Sequence, residues 1–370
     1  MRIAILNWRD ARHPAAGGAE VFVHEVARRW AASGHRVELF ASRVDDDDPE
    51  YEDGGVTVHR VGGLGNGSHH LLAPRRALRA SPDVLLESVN SIPYMLPVRQ
   101  LGVATLTLVH QMARDVWRHH LPAGLALVAR AVEPQLFRPY RGCNVVTPSE
   151  STAGDLRGTG VHRVAVIPQG GLGAQLPRRK EAAPTLIFVG RLTHNKRPRD
   201  AVEAFRACRR AWPRARMWIV GEGPLKETLE STAPEGTEFL GRLERLELLD
   251  RMGRAHLLVS TSVREGWGLV VTEAAAVGTP AVGYDVAGLR SSIRHDETGI
   301  LCETNPAALA ERVRSLVGDP LRYERMRRAA LRWGAQHSWE NTAAALMRHL
   351  LEARGASWTT GPEHPIAAER

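Results

Sequence analysis

Lysine is scarce in this sequence: only Lys180, Lys196 and Lys226 among its 49 basic residues are not arginine. A chain that uses arginine almost everywhere keeps lysine where a compact point charge is needed. Cysteine is scarce too. Cys143, Cys208 and Cys302 stand far apart and fit neither a zinc pattern nor a disulfide framework, which suits a reducing compartment. No apolar run approaches the roughly 18 residues that span a bilayer, and Ile3 to Leu6 is too short for a signal-peptide core. A cytoplasmic protein is therefore expected. Helix-turn-helix spacing, zinc fingers and aromatic RNA-binding strands are missing as well, so nucleic acid is not the expected partner despite a net charge of +8 and a pI near 10. That excess charge is spread over both halves and suits anionic substrates or an anionic membrane face.

What is present, 43% hydrophobic and 24% charged residues over 370 positions, describes a globular chain long enough for two domains. Residues 2 to 6 form a short continuous apolar run, as a buried parallel strand should. A loop from Asn7 then ends in Gly17, Gly18, Ala19 and Glu20 and opens a helix with Val21, Phe22, Val26, Ala27 and Trp30 on one face. Further strands are expected at Val37–Ala41, Val56–Val61, Val84–Glu87, Val103–Val109, Cys143–Thr147 and Val164–Ile167. This alternation argues for an open α/β sheet. The first turn has only Gly17 and Gly18 and lacks the G-x-G-x-x-G of a dinucleotide fold, which argues against a nicotinamide enzyme. Asp45 to Asp48 reads as a solvated loop rather than a metal site. His110 and the Ser149–Ser151 stretch fall at strand ends, where an open sheet holds ligands.

Arg114, Trp117, Arg118, His119 and His120 precede an apolar helix that runs to Phe137. Either this is an ordinary helix with its apolar side inward, or it marks an acceptor site or a contact with anionic lipid. Gly170 to Pro184 has no periodicity and reads as a linker. A second α/β series follows, with strands at Thr185–Gly190, Met217–Val220, Glu238–Leu240, Leu257–Thr261, Ala281–Tyr284 and Ile300–Cys302. From Asn305 to about Glu352 only helical patterns remain, and Ser357 to Arg370 read as a loose tail.

Two segments of this second series carry chemistry. Arg191 and Lys196 lie around a strand-to-helix loop, where two cations can bracket a diphosphate and stabilise a departing one. Glu265 and Glu273 bracket the turn Gly266, Trp267, Gly268, which leads into a helix closed by Gly278 and Pro280. A helix that begins on glycine exposes free N–H groups suited to phosphate, and carboxylates accept from hydroxyls. Read plainly, the segment is a surface helix with two solvated glutamates. Combined with the cations, it is shaped for a sugar nucleotide.

In order and spacing, Gly17 to Glu20, Val189 to Lys196, Gly221 to Pro224, Gly241 to Leu243 and Glu265 to Pro280 resemble the family 4 glycosyltransferases, retaining enzymes of the GT-B fold. The resemblance covers the chain to about residue 352. It implies two Rossmann-like α/β domains with parallel sheets facing a cleft: an acceptor-binding domain over residues 1–170, a linker at 171–184 and a nucleotide-sugar domain over 185–335. A helix at 336–352 would return to the first domain, leaving a tail at 353–370. It further implies that Arg191 and Lys196 hold the donor diphosphate, assisted by the amides of Gly268 and Leu269. Glu265 would contact donor-sugar hydroxyls, Glu273 the ribose, and backbone near Arg242 and Leu243 the base. Gly18 would let the first loop approach the phosphates, and His110 would stand beside the donor sugar. Gly190, Gly266 and Trp267 complete the expected donor site, with Glu20, Arg114 and Trp117 on the acceptor side. No metal or cofactor is expected beyond a UDP- or GDP-linked donor. The acceptor would be a glycan, a glycolipid or lipid-linked sugar, or a small molecule, with peripheral contact to an anionic membrane. The chain departs from the family pattern at Gln169, in Pro168-Gln169-Gly170, and at Arg290 and Ser291.

Two other readings use the same fold. A sugar-nucleotide 2-epimerase would release product without an acceptor. A non-catalytic sugar-nucleotide-binding relative would turn over nothing, and the joint presence of Arg191, Lys196, Glu265 and Glu273 argues against it. A phosphorylase needs a cofactor-anchoring lysine, for which three lysines leave little room.

Overall fold

The computed structural model describes residues 1–44, 48–99 and 102–355. The chain divides into two compact units, Met1–Gly170 joined by the last of the described helices, and Gly171–Ser338. Residues 45–47 of the aspartate run and the expected tail from Ser357 lie outside the described residues.

The first unit runs β1 (Arg2–Leu6), α1 (Gly18–Ala32), β2 (Arg36–Ala41), β3 (Glu50–Asp53), β4 (Val56–Arg60), α2 (Ser68–Arg79) and β5 (Val84–Val89). It continues through α3 (Leu96–Arg99), β6 (Ala104–Val109), α4 (Trp117–His120), α5 (Ala123–Leu136), β7 (Val145–Thr147), α6 (Glu150–Arg157) and β8 (Val164–Val166). Eight strands form one sheet in the order β3-β4-β2-β1-β5-β6-β7-β8. All pairs are parallel except β3 with β4. Strand β3 was not anticipated. Its sequence, Glu-Tyr-Glu-Asp, buries only Tyr51 and has no apolar run to reveal it. The central strands are buried on both faces, as helices on either side of a parallel sheet require.

The second unit runs β9 (Thr185–Val189), α7 (Pro198–Ala211), β10 (Arg216–Val220), α8 (Lys226–Thr232), β11 (Thr237–Gly241), α9 (Arg245–Arg254) and β12 (Leu257–Ser260). Then come α10 (Leu269–Ala276), β13 (Ala281–Tyr284), α11 (Leu289–Ser292), β14 (Gly299–Cys302), α12 (Pro306–Val317) and α13 (Pro320–Gln336). Its six strands are all parallel, in the order β11-β10-β9-β12-β13-β14. The stretch from Gly171 to Pro184 has no helix. Its Lys180 is half-buried and donates to the Ala255 carbonyl (2.7 Å) and to Thr279 Oγ1 (2.6 Å), which ties the stretch to this unit.

The last helix, α14 (Trp339–Ala353), belongs to the first unit. Trp30 Nε1 donates to the Ala343 carbonyl (3.0 Å), the Phe22 and Trp339 rings meet edge to face, and Thr342 Oγ1 donates to the Pro168 carbonyl (3.0 Å). Among the described residues, no helix is long and apolar enough to cross a membrane.

Candidate active site

Each sheet reverses its strand order once, and each reversal opens a crevice at the carboxyl ends of the strands. In the second unit the chain leaves β9 for β10 and β11 on one side, then returns through β12 to β13 and β14 on the other. The loops that follow β9 and β12 therefore meet at the crevice. These are the loops that carry Arg191 and Lys196, and Glu265 to Gly268.

Backbone bonds lock these loops together. Gly190 N donates to the Val220 carbonyl (3.0 Å), Leu192 N to the Glu222 carbonyl (2.9 Å) and Gly221 N to the Gly241 carbonyl (2.7 Å). On the other side, Val263 N donates to the Asn195 carbonyl (2.9 Å), and Thr261 Oγ1 lies 2.9 Å from the carbonyls of both Lys196 and Arg197. The Arg191 guanidinium stands exposed, with no carboxylate partner among the described residues. Lys196 is half-buried and forms an ion pair with Glu265 Oε1, which also accepts from Ser262 Oγ (2.5 Å). The second carboxylate oxygen of Glu265 takes no bond from the described chain, so it can accept from a ligand hydroxyl.

Gly268 sits at the start of α10 with φ of 97°, and no side chain caps this end. A Cβ there would come within 3.0 Å of Ser292 Oγ and 3.1 Å of Leu289 Cδ2. With Gly266 before it and Leu269 behind it, the helix presents bare amides and its positive end. Trp267 does not face solvent. Its ring is buried beside Ala275, Ala330 and Trp333, so it anchors the turn and offers a ligand only its backbone. Glu273 is buried in the second turn of α10, where Arg245 Nη1 donates to it at 2.6 Å. Arg242 is exposed just beyond β11, and Leu243 rests on the core beneath.

Several of these supports were not read from the sequence. Gly288 is the sharpest case: it has φ of 84°, and a Cβ on it would lie 2.1 Å from the Glu265 carbonyl oxygen. Its neighbour Ala287 accepts from Glu265 N at 3.0 Å. The loop after β13 thus holds the backbone of Glu265. Thr261, Ser262, Asn195 and Arg245 act likewise. The signal for Thr261 and Ser262 was a polar pair closing the apolar run of β12. Arg245, on another helix, left none.

In the first unit the reversal falls between β1 and β5. Gly18 opens α1, exposed and without a side chain. Both oxygens of the buried Glu20 carboxylate are held within the chain, by Trp8 Nε1 (2.5 Å) and Gly17 N (2.7 Å), so Glu20 fixes the loop between β1 and α1. The buried pair of Asp10 with Arg60 Nε (2.7 Å) pins the same loop. Arg114 donates through its amide to Glu133 (2.8 Å) and through Nη2 to Asp155 (3.4 Å), and Trp117 begins α4 with its Nε1 buried and without a partner among the described residues.

His110 follows β6, buried, with its ring edge-on to Phe22. Burial lowers its pKa to about 3, so the ring is neutral. Its tautomer follows from its neighbours. Asn7 Nδ2 donates to the Arg9 carbonyl (2.7 Å), which turns Asn7 Oδ1 toward Ser88 Oγ (2.9 Å). The one hydroxyl proton of Ser88 goes to that oxygen, so the contact between Ser88 Oγ and His110 Nε2 (2.9 Å) must be donated by the ring. His110 Nδ1 is then a bare acceptor, buried and without a partner among the described residues. A hydroxyl is the fitting donor for it. Among the described residues, no three His, Cys, Asp or Glu side chains gather as a metal-holding group.

Two doubly wound parallel sheets, one carrying cations, an uncapped helix start and carboxylates at its switch point, define a glycosyltransferase of the GT-B fold that uses sugar nucleotides. Family models agree with this, Glycosyltransferase Family 4 matching residues 16–170 and Glycosyl transferases group 1 matching residues 175–333. The chain belongs to the family 4 glycosyltransferases. It is 30% identical to a D-inositol 3-phosphate glycosyltransferase from Nocardia farcinica, over 90% of this chain and 84% of that one. It is 29% identical to a glycogen synthase from Mycobacterium tuberculosis, over 99% and 98%. Among solved structures, sucrose-phosphate synthase from Thermosynechococcus elongatus superposes with a TM-score of 0.78 at 20% identity, over 96% of this chain and 100% of that one.

Proposed function

We propose that the protein is a retaining, metal-independent hexosyltransferase that moves a sugar from a UDP- or GDP-linked donor to a hydroxyl of a glycan, glycolipid or small-molecule acceptor. It works in the cytoplasm, in peripheral contact with an anionic membrane. The observation that carries this reading is the pairing of Arg191 and Lys196 with the uncapped start of α10 beside Glu265. These groups supply the charge that a divalent ion supplies elsewhere to a departing diphosphate.

In this mechanism Arg191 and the amides of Gly268 and Leu269 grip the diphosphate. Lys196 uses its three protons to keep Glu265 while reaching a phosphate oxygen. Glu265 orients the sugar through its free oxygen, Glu273 binds the ribose, and backbone around Arg242 and Leu243 receives the base. His110 Nδ1 accepts from a sugar hydroxyl. The acceptor attacks from the face the diphosphate leaves, and the departing phosphate oxygen takes the acceptor proton, so no protein base is needed. The enzyme contributes positioning and charge stabilisation.

Thermal denaturation with a panel of nucleoside diphosphate sugars tests the donor. One of them raises the midpoint by mass action and also supports transfer, with the product retaining the donor's anomeric configuration by NMR. An inverted product refutes the retaining mechanism. A sugar epimerised from donor alone, with no acceptor, replaces transfer with the 2-epimerase reading.

A further inference from the structure

Helix α5 is built inside out. Of its fourteen residues only Ala126 and Glu133 are buried. Glu133 is spent on the protein itself, accepting from Ala113 N (2.5 Å) and Arg114 N (2.8 Å), which staples the helix down by its one acid. Leu125, Leu127, Val128 and Val132 point the other way, with exposures of 59, 66, 57 and 47%. At 100° per residue these four, with Gly124 and Ala131, sweep an arc of roughly 160° on which Gln135 is the only polar side chain. An ordinary surface helix turns such an arc to the core. Four large apolar side chains on one exposed face mark an interaction site.

The ends of the helix name the partner. Arg118 and His120 are exposed before it, Arg138 and Arg141 after it. Asp115, the acid on its flank, is neutralised by Arg130 at 2.9 Å. An apolar stripe with a cationic fringe matches the acyl-to-headgroup boundary of an anionic membrane, where the apolar groups enter and the arginines meet phosphate. A second copy of this chain fits less well, because a two-fold pairing of the stripe would set one basic fringe against another. We propose that α5 is a membrane-docking helix, lying in the plane of an anionic leaflet with Leu125, Leu127, Val128 and Val132 inserted. This gives the peripheral location proposed above a physical face, and it rests on that location and not on the donor assignment.

Vesicle co-sedimentation of the full chain tests it without any sugar nucleotide, so its failure and that of the transfer reading are separable. The protein should sediment with phosphatidylcholine vesicles containing roughly 30 mol% phosphatidylglycerol, much less with phosphatidylcholine alone, and less as salt rises. The double variant Leu127→Glu/Val128→Glu should bind about tenfold or more weakly. Both positions face solvent, so its melting temperature and donor-induced thermal shift should match wild type. Arg118→Glu/Arg138→Glu should weaken binding to anionic vesicles and leave the slight binding to neutral ones as it was. Failure of the wild-type chain to bind anionic vesicles at low salt overturns the proposal. So does undiminished binding by the Leu127/Val128 variant, or a dimer in sedimentation velocity that this variant dissolves.

Discussion

Replacing Gly288 with alanine should cripple transfer more than it weakens diphosphate binding. The new Cβ would sit 2.1 Å from the Glu265 carbonyl oxygen and 2.5 Å from its carbonyl carbon. Unstrained carbon–oxygen contacts lie at about 3.3 Å or beyond, so the Glu265 loop must retreat by roughly 1.2 Å. The retreat breaks the bond from Glu265 N to the Ala287 carbonyl and draws the carboxylate away from Ser262 and Lys196. A displacement of about 1 Å at a positioning group costs on the order of 100-fold in rate, or about 2.7 kcal/mol of barrier. Alanine at φ of 84° adds about 1–2 kcal/mol of backbone strain. Strain and the lost bond together predict a melting temperature roughly 4–10 °C lower. Lys196 and the amides of Gly268 and Leu269 are tied to the displaced loop while Arg191 stands on another, so affinity for the nucleoside diphosphate without its sugar should fall too, but by less than the roughly 100-fold loss in rate. The assay pairs initial rates with calorimetric titration of the bare nucleoside diphosphate. A variant with kcat/KM within about threefold of wild type would show that the position of Glu265 does not govern the reaction.

Other outcomes follow from the same geometry. Arg191→Ala and Lys196→Ala should each lower kcat by about 100-fold or more while the fold survives, as circular dichroism would report; near-normal kcat in both would sink the site assignment. Ser88→Ala removes the acceptor of the His110 Nε2–H, so nitrogen-resolved NMR should show the ring leaving its single tautomer, with kcat/KM down about tenfold. Ser88→Thr should restore both, and an Nδ1–H tautomer in the wild-type protein would refute the relay. Lys180 offers a pH signature. Burial, with the nearby Arg327 charge, lowers its pKa to about 7 from the ordinary 10.5. Between those values the unfolded chain binds the extra proton, so the contribution of Lys180 to stability rises with pH across this window. Urea unfolding of wild type against Lys180→Met should therefore move in favour of wild type by up to about 2 kcal/mol from pH 7 to 9. A difference flat in pH would show that Lys180 is solvated.

The sequence was most legible where one signal served one purpose. Strands buried on both faces announce themselves as apolar runs, and the fall of loops at their ends follows once the order is known. Glycines and prolines placed the end of α10, with Gly278 at φ of 78° beyond its last turn. Supports supplied across the chain were hidden. Nothing near Gly288 says that its missing side chain makes room for Glu265, and Arg245 meets Glu273 only because α9 and α10 pack together. Nor does the sequence show which way Trp267 faces: within the expected donor loop, its ring is buried with Trp333. On α5 the composition was ambiguous because apolar residues on a helix do not say which way they face.

The first unit is assembled from two stretches of the chain separated by the whole second unit, with Trp339 and Ala343 of α14 meeting Phe22 and Trp30 of α1. On a ribosome this imposes an order. The part of the Phe22 and Trp30 face that α14 covers stays open until the whole of Gly171–Ser338 and then α14 have been translated, a wait of roughly ten to thirty seconds at ordinary rates of synthesis. The second unit, made of continuous chain, can close during that wait. Newly made chains therefore pass through a state with a finished second unit and an open first unit. Stop codons or frameshifts that remove only α14 should yield aggregation-prone protein rather than a shortened enzyme.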